Sequence, residues 1–207
     1  MIRVLGRQTS GNVQKVLFLL EELGVKYTRE DYGRQFNNTS TDEYRKLNPN
    51  IKVPTLVDGD VVIWESNSIL RYLAAKHGAA LAGSTPAEKS QVERWMDWLL
   101  SSLYGPFLAV FRDARKPEAE RSADFKTQSA DLIAQLKILD GHLAGKPWVA
   151  LDRLTIADIC LAPIVKRCVE FPIEKPAFAE IARWLKAIED RPAFAVALGT
   201  KQSTLAA

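Results

Sequence analysis

A short run of residues between Lys52 and Ser66 carries the groups needed to hold an amino-acid head group and the backbone next to it. Lys52-Val53-Pro54-Thr55 sets a proline at the start of an apolar run. Proline cannot donate to a strand ladder there and is tolerated at a strand start, an edge or a special turn. The Val53–Pro54 bond is therefore a candidate for the cis form, which turns the N–H and C=O of Val53 outward toward an extended peptide. Eleven positions later Glu65-Ser66 opens a helical pattern with apolar residues at Ile69, Leu70 and Leu73, and Ser66 is placed as its N-cap. A helix N-terminus with a free hydroxyl attracts a carboxylate, and the neighbouring Glu65 attracts an amine. Together they suit an α-amino acid. Each feature alone also fits a plain hairpin followed by a serine-capped helix.

The elements that must position these residues can be read in order. Ile2 to Leu5 is a β-type run broken by the turn formers Arg7 to Asn12. Val13, Val16, Leu17, Leu20 and Leu23 then form one helical stripe that ends at Gly24. Val25 to Tyr32 reads as a second strand, so the opening is β-α-β with parallel strands. A helical turn is expected around Thr41 to Lys46. Two short strands flank Asp58-Gly59 as a hairpin, and a helix runs from Ser66 to His77. This β-α-β-α-β-β-α order is that of a thioredoxin-like domain ending near residue 78.

Gly78 to Pro86 is small and flexible, and beyond it the β-type pattern stops. A long helix is predicted from Ala87 to about Arg115, bent at Gly105-Pro106, and another from Pro117 to Leu143. Thr155 and Asp158 form a capping arrangement at the start of a third, with Leu154 and Ile159 as its hydrophobic staple. Shorter helices follow near Ala177 to Asp190 and Pro192 to Leu198. Trp95 and Trp98 read as packing or dimer contacts.

Composition narrows the function classes. The 207 residues, 47% hydrophobic, can bury real cores, and 28 basic against 25 acidic residues leave a net charge of only +3. The basic residues are dispersed, so neither nucleic acid nor an anionic membrane is indicated as a partner. No cleavable leader or membrane-spanning run is read, which makes cytoplasmic residence the default. Cys160 and Cys168 fall in one helix about 12 Å apart along its axis, too far to bridge, and read as small core residues. His77 and His142 are isolated, and no metal is expected.

Ser10-Gly11-Asn12 before the first helix, Asn48-Pro49-Asn50-Ile51-Lys52-Val53-Pro54, Glu65-Ser66 and the capped segment from Leu154 to Asp158 together resemble the soluble glutathione transferases. The likeness spans nearly the full length and looks nearest to bacterial theta-like and nu-like members. Ile51 departs from the pattern, since glycine is common there, and this leaves the backbone path and the aim of Lys52 open.

The resemblance implies an α/β thioredoxin-like domain over residues 1–78 that binds glutathione, a linker at 79–86, and an all-α helical-bundle domain over 87–207 that forms the hydrophobic substrate pocket. It implies glutathione as co-substrate, no metal, a homodimer, and a detoxifying transferase that conjugates the thiolate to hydrophobic electrophiles. By that resemblance Ser10 donates its hydroxyl to the sulfur and Asn12 is a second donor, although Ser, Gly and Asn before a helix also serve an ordinary turn and cap. Ser66 meets the γ-glutamyl carboxylate, Glu65 its ammonium, Val53 the cysteinyl backbone and Lys52 the glycyl carboxylate. Tyr104, Phe107, Val110 and Phe111 form an apolar wall for the electrophile, a pattern that equally serves a core. Glutathione-dependent disulfide or peroxide reduction, as in nu-like relatives, and a non-catalytic binding protein are the competing readings.

The energetics are within reach of such a site. A thiol of pKa about 8.5 is only a few per cent ionised at pH 7, and lowering it by about two units requires about 2.7 kcal/mol. Hydrogen bonds to a charged acceptor contribute roughly 1.5–3 kcal/mol each. Two donors beside a helix N-terminus suffice.

Overall fold

β1 (Ile2–Leu5), α1 (Gly11–Glu22), β2 (Tyr27–Glu30), α2 (Asp42–Leu47), β3 (Thr55–Asp58), β4 (Val61–Trp64) and α3 (Ser66–His77) follow one another in the computed structural model, which describes residues 1–205. The four strands form one sheet in the order β2-β1-β3-β4. β1 and β2 are parallel, as the β-α-β crossover requires, and β3 runs antiparallel to both β1 and β4. The hairpin turn is Gly59-Asp60, with Gly59 at φ 62°, a conformation that costs glycine nothing. Asp58 at its base accepts hydrogen bonds from Tyr72 Oη (2.8 Å) and Lys76 Nζ (2.5 Å), which fasten the hairpin to α3. Lys76 in turn holds the Asp58 carboxyl below its ordinary range.

α1 is buried along most of its length, from Val13 to Leu20. A helix covered on more than one face needs a partner besides the sheet. That partner comes from the far end of the chain. Phe194, on α9 (Pro192–Leu198), packs against Phe18 with ring centroids 5.1 Å apart. Arg191 Nε and Nη2 each donate to the Glu22 carboxylate at 2.6 Å.

By its packing the chain divides into two units. One is Met1–Ser84 together with the chain from Glu189 onward, and the other is Thr85–Ile188. The expected helical domain over 87–207 is thus shortened at its C-terminal end. α9 has its apolar face on α1, so residues 189–205 join the sheet-containing unit, and 206 and 207 lie outside the described residues.

The helical unit contains α4 (Pro86–Trp98), α5 (Tyr104–Asp113), α6 (Phe125–Leu143), α7 (Ile156–Glu170) and α8 (Ala179–Glu189). Thr85 caps α4 by accepting from Glu88 N–H (3.2 Å), with Pro86 in the first turn. The long helix expected from 87 to 115 is instead α4 and α5 joined by a π turn at Leu99–Leu103. Pro106 has no N–H for the carbonyl of Ser102, and a wider turn just before it absorbs the lost bond. The helix expected from 117 begins only at Phe125. Ahead of it Asp113 accepts from Lys116 Nζ (2.6 Å), from the backbone N–H of Ser122 (3.2 Å) and from the Ser122 hydroxyl, which holds the connecting turn in place.

α7 is the axis of this unit. Its capping box pairs Thr155 with Asp158, and the buried Asp158 carboxylate accepts from Thr155 N (2.9 Å), Thr155 Oγ1 (2.9 Å), Val149 N (2.8 Å) and Trp184 Nε1 (3.0 Å). Cys160 and Cys168 are buried and unbridged on this helix, as expected. Trp95 meets Trp98 edge-on and packs at a tilt against His142, and Trp98 donates to Gln135, so both tryptophans pack within the unit. Among the described residues no helix is long and apolar enough to cross a membrane.

Candidate glutathione site at one end of the sheet

The strand register alone gathers the scattered motifs. Leu5 is paired with Thr55, and Thr55 with Trp64, across three neighbouring strands. Because these strands alternate in direction, β1 ends, β3 begins and β4 ends on the same side of the sheet. The loop leading from Gly6 to Ser10, the Val53–Pro54 bond and the Glu65-Ser66 step therefore emerge together. Gly6 allows the close approach. A Cβ there would lie 2.4 Å from Val13 Cγ2 and 3.3 Å from Val53 Cβ.

The Val53–Pro54 peptide is cis, as the sequence suggests. Among the described residues no hydrogen bond takes up the backbone N–H or C=O of Val53, which leaves both for an extended ligand. The segment before it is fixed from behind. Tyr44 Oη donates to the carbonyl of Lys52 (2.6 Å), Asn48 Nδ2 donates to the same oxygen (2.9 Å) and to Thr55 Oγ1 (3.1 Å), and Asn48 Oδ1 accepts from Asn50 N (3.0 Å). Burial raises the Tyr44 phenol above its ordinary value, so it remains a donor at neutral pH. Ile51 sits at φ 52° in the left-handed region. This accounts for the departure noted in the sequence, because a β-branched residue occupies a backbone conformation that glycine adopts freely. Lys52 itself is exposed.

Ser66 is the first residue of α3 rather than its N-cap; the cap position belongs to Glu65, which makes no side-chain capping bond. Glu65 is exposed at φ 68°, ψ 113°, and such backbone strain concentrates at binding sites. Ser66 is 5% exposed, in the first turn where the helix N–H groups lack intrahelical partners.

Ser10 is the N-cap of α1, at φ −81° and ψ 123°, and is 7% exposed. Its hydroxyl does not cap the helix. An ordinary serine cap accepts from the second or third helical N–H, and that use is not made here. Thr9 is exposed, so Ser10 is the better shielded hydroxyl of the two. Asn12 follows in the first turn of α1, half-buried.

In the helical unit, Tyr104, Phe107 and Phe111 form a ladder along α5, with ring centroids 5.6 and 5.8 Å apart, and Phe171 packs against Phe107 and Phe111. Phe107 and Val110 are buried, whereas Tyr104 and Phe111 keep part of their surface exposed. The sequence assigns no task to Gly6, and for Tyr44 and Asn48 it offers only the Asn-Pro-Asn motif and an aromatic residue one helical turn before it.

The family models of the glutathione S-transferase N-terminal and C-terminal domains match residues 9–76 and 77–192. The chain belongs to the glutathione S-transferase family. It is 34% identical over 198 residues to glutathione S-transferase GstB of Escherichia coli K12, covering 93% of this chain and 95% of that protein. It also resembles the crystal structure of a theta-class glutathione S-transferase from Xanthomonas axonopodis pv. citri with glutathione bound, with 39% identity, a TM-score of 0.86 and 98% and 99% of the two chains covered. A glutathione transferase from Pseudomonas putida, with one glutathione disulfide bound per subunit, matches at 27% identity and a TM-score of 0.85 over 95% of this chain and 90% of that one. The thioredoxin-like and helical parts expected from sequence are those of this family, and the chain is a glutathione transferase enzyme.

Proposed function

We propose that this glutathione transferase ionises the glutathione thiol with Ser10 and directs the thiolate at a hydrophobic electrophile. The observation that carries the assignment is the Ser10 hydroxyl, shielded at a helix N-terminus and left out of capping. It donates to the sulfur, the dipole of α1 adds in the same direction, and Asn12 supplies the second donor. The thiol proton leaves to solvent. The sulfur lone pair then forms the new S–C bond while the leaving group departs, or adds to one carbon of an activated double bond while the other takes up a proton from solvent, with no covalent enzyme intermediate.

Glutathione is held by the remaining residues of the same sheet end. The γ-glutamyl carboxylate meets Ser66 and the N–H groups that open α3, and its ammonium meets Glu65. The cysteinyl backbone pairs with Val53, and Lys52 attracts the glycyl carboxylate. The division of labour is glutathione binding by residues 1–78 and an electrophile pocket in the helical unit, Thr85–Ile188, walled by Tyr104, Phe107 and Phe111.

A cytoplasmic homodimer engaged in detoxification completes the proposal. Support for the dimer is the edge strand β4, whose Val61, Val62 and Trp64 are 44%, 38% and 37% exposed, an apolar edge suited to a second copy. Light scattering that returns the mass of one chain rules the dimer out.

The decisive experiment follows thiolate absorbance of bound glutathione against pH. A bound thiol pKa well below that of free glutathione, lost in Ser10→Ala, is the expected result; an unshifted pKa removes the assignment. Disulfide reduction is the second reading, favoured by the glutathione disulfide bound to the Pseudomonas putida relative. Turnover of a mixed disulfide faster than of an aryl halide would favour it.

A further inference from the structure

The loop that carries Ser10 is tied to the C-terminal helix by one side chain. Gln8 Nε2 donates to the carbonyls of Val196 (3.0 Å) and Ala197 (2.8 Å) in the last turn of α9, so both amide protons are used. Val196 O also accepts the N–H of Gly199 at the helix end (2.9 Å), and Gln8 adds a second donor to that terminal turn, where carbonyls run out of i+4 partners. From the other side, Gln14 Nε2 donates to the Gln8 carbonyl (3.0 Å), and Gln14, like its neighbour Lys15, is a polar residue buried on α1. The loop is tight between these anchors, with Arg7 N–H donating to Tyr32 O (3.1 Å) and Ser10 N–H to Arg7 O (3.1 Å).

The other end of the tie is equally constrained. Gly199 caps α9 at φ 78°, and a Cβ there would lie 3.0 Å from Gln8 Cγ. α9 is fixed on α1 by Arg191 on Glu22 and by Phe194 on Phe18. A displacement of its last turn is therefore transmitted to Gln8, two residues from Ser10.

We infer that Gln8 is a positioning residue: by clamping the last turn of α9 it fixes the loop from which the thiol donor is presented, so the C-terminal helix takes part in glutathione activation. This rests on the role proposed for Ser10. A hydroxyl stabilises a thiolate only while oxygen and sulfur stay aligned, and small misplacements at a reacting centre have large kinetic effects.

Gln8→Leu keeps the side-chain bulk and removes both donors. Gly199→Ala keeps Gln8 but sets a Cβ 3.0 Å from its Cγ and strains the φ 78° cap, so it disturbs the tie from the helix side. In both, kcat toward an aryl halide is expected to fall about tenfold with the KM for glutathione little changed, and the bound thiol pKa to rise toward that of free glutathione. Both variants are measured beside wild type and Ser10→Ala. A lowered Tm with kcat and thiol pKa unchanged in both would overturn the inference and leave Gln8 a purely structural tie. If Ser10→Ala leaves the thiol pKa unmoved while Gln8→Leu raises it, the assignment of Ser10 fails and the clamp on the donor loop stands.

Discussion

Tyr44 reaches over the turn that follows its own helix and donates its phenolic proton to the carbonyl of Lys52 at 2.6 Å. With Asn48 on the same oxygen, it fixes the residue just before the proposed peptide-pairing position, Val53. Tyr44→Phe removes one of these two bonds, worth about 1 kcal/mol. The KM for glutathione is expected to rise about fivefold, with kcat changed less. Steady-state kinetics at varied glutathione check this, and an unchanged KM would separate the turn from ligand binding.

Asp113 gives a pH-dependent contribution to stability. Lys116 first, and then the hydroxyl and N–H of Ser122, hold its carboxyl well below the usual carboxylate range. A carboxyl depressed on folding stabilises the folded chain above its unfolded pKa of about 3.9 and loses that contribution as pH falls further. Asp113→Asn should therefore lower Tm at neutral pH, and the gap to wild type should narrow progressively in melts recorded from about pH 4 downward. A gap independent of pH would mean that the charge is irrelevant.

The Asp158 carboxylate is buried and serves four donors. Asp158→Ala strands Val149 N–H and Trp184 Nε1 in the interior, at a cost of about 3 kcal/mol or more. Calorimetry should show Tm lowered by roughly 10 °C. The kcat of the folded fraction should stay at the wild-type value, because the residue belongs to the core of the helical unit.

Ile51 is exposed and holds a left-handed backbone. Glycine relieves roughly 1–2 kcal/mol of that strain and returns part of it as unfolded-chain entropy, for a net gain of about 1 kcal/mol. Ile51→Gly is expected to raise Tm by about 2–4 °C. A lowered Tm would mean that Ile51 contributes packing that its exposure hides.

Local signals carried most of the fold. The parallel opening, the hairpin at Gly59, the cis bond at Pro54 and the Thr155–Asp158 box each rest on residues close in sequence, and each is where the pattern places it. The departures have non-local causes. α9 has the spacing of any short amphipathic helix, and nothing in Pro192–Leu198 says that its partner is α1 rather than α8. Ser66 moved from cap to first turn because the strain is taken up by Glu65, a conformation that no residue-type rule assigns to glutamate. For the site, the residues to be gathered were legible and their supports were not. Tyr44 and Asn48 act through one carbonyl, and a carbonyl has no residue type to read.

The partnership of α1 with α9 also sets an order of events during synthesis. Domains generally fold as they leave the ribosome, N-terminal part first. Here the unit that begins at Met1 also takes in the chain from Glu189 onward. The sheet and its loops can form early, but the outer face of Phe18 and the carboxylate of Glu22 wait for Phe194 and Arg191. The sheet unit is completed only after the whole helical unit has been made, and the loop beside Ser10 gains its final restraint only when α9 is in place.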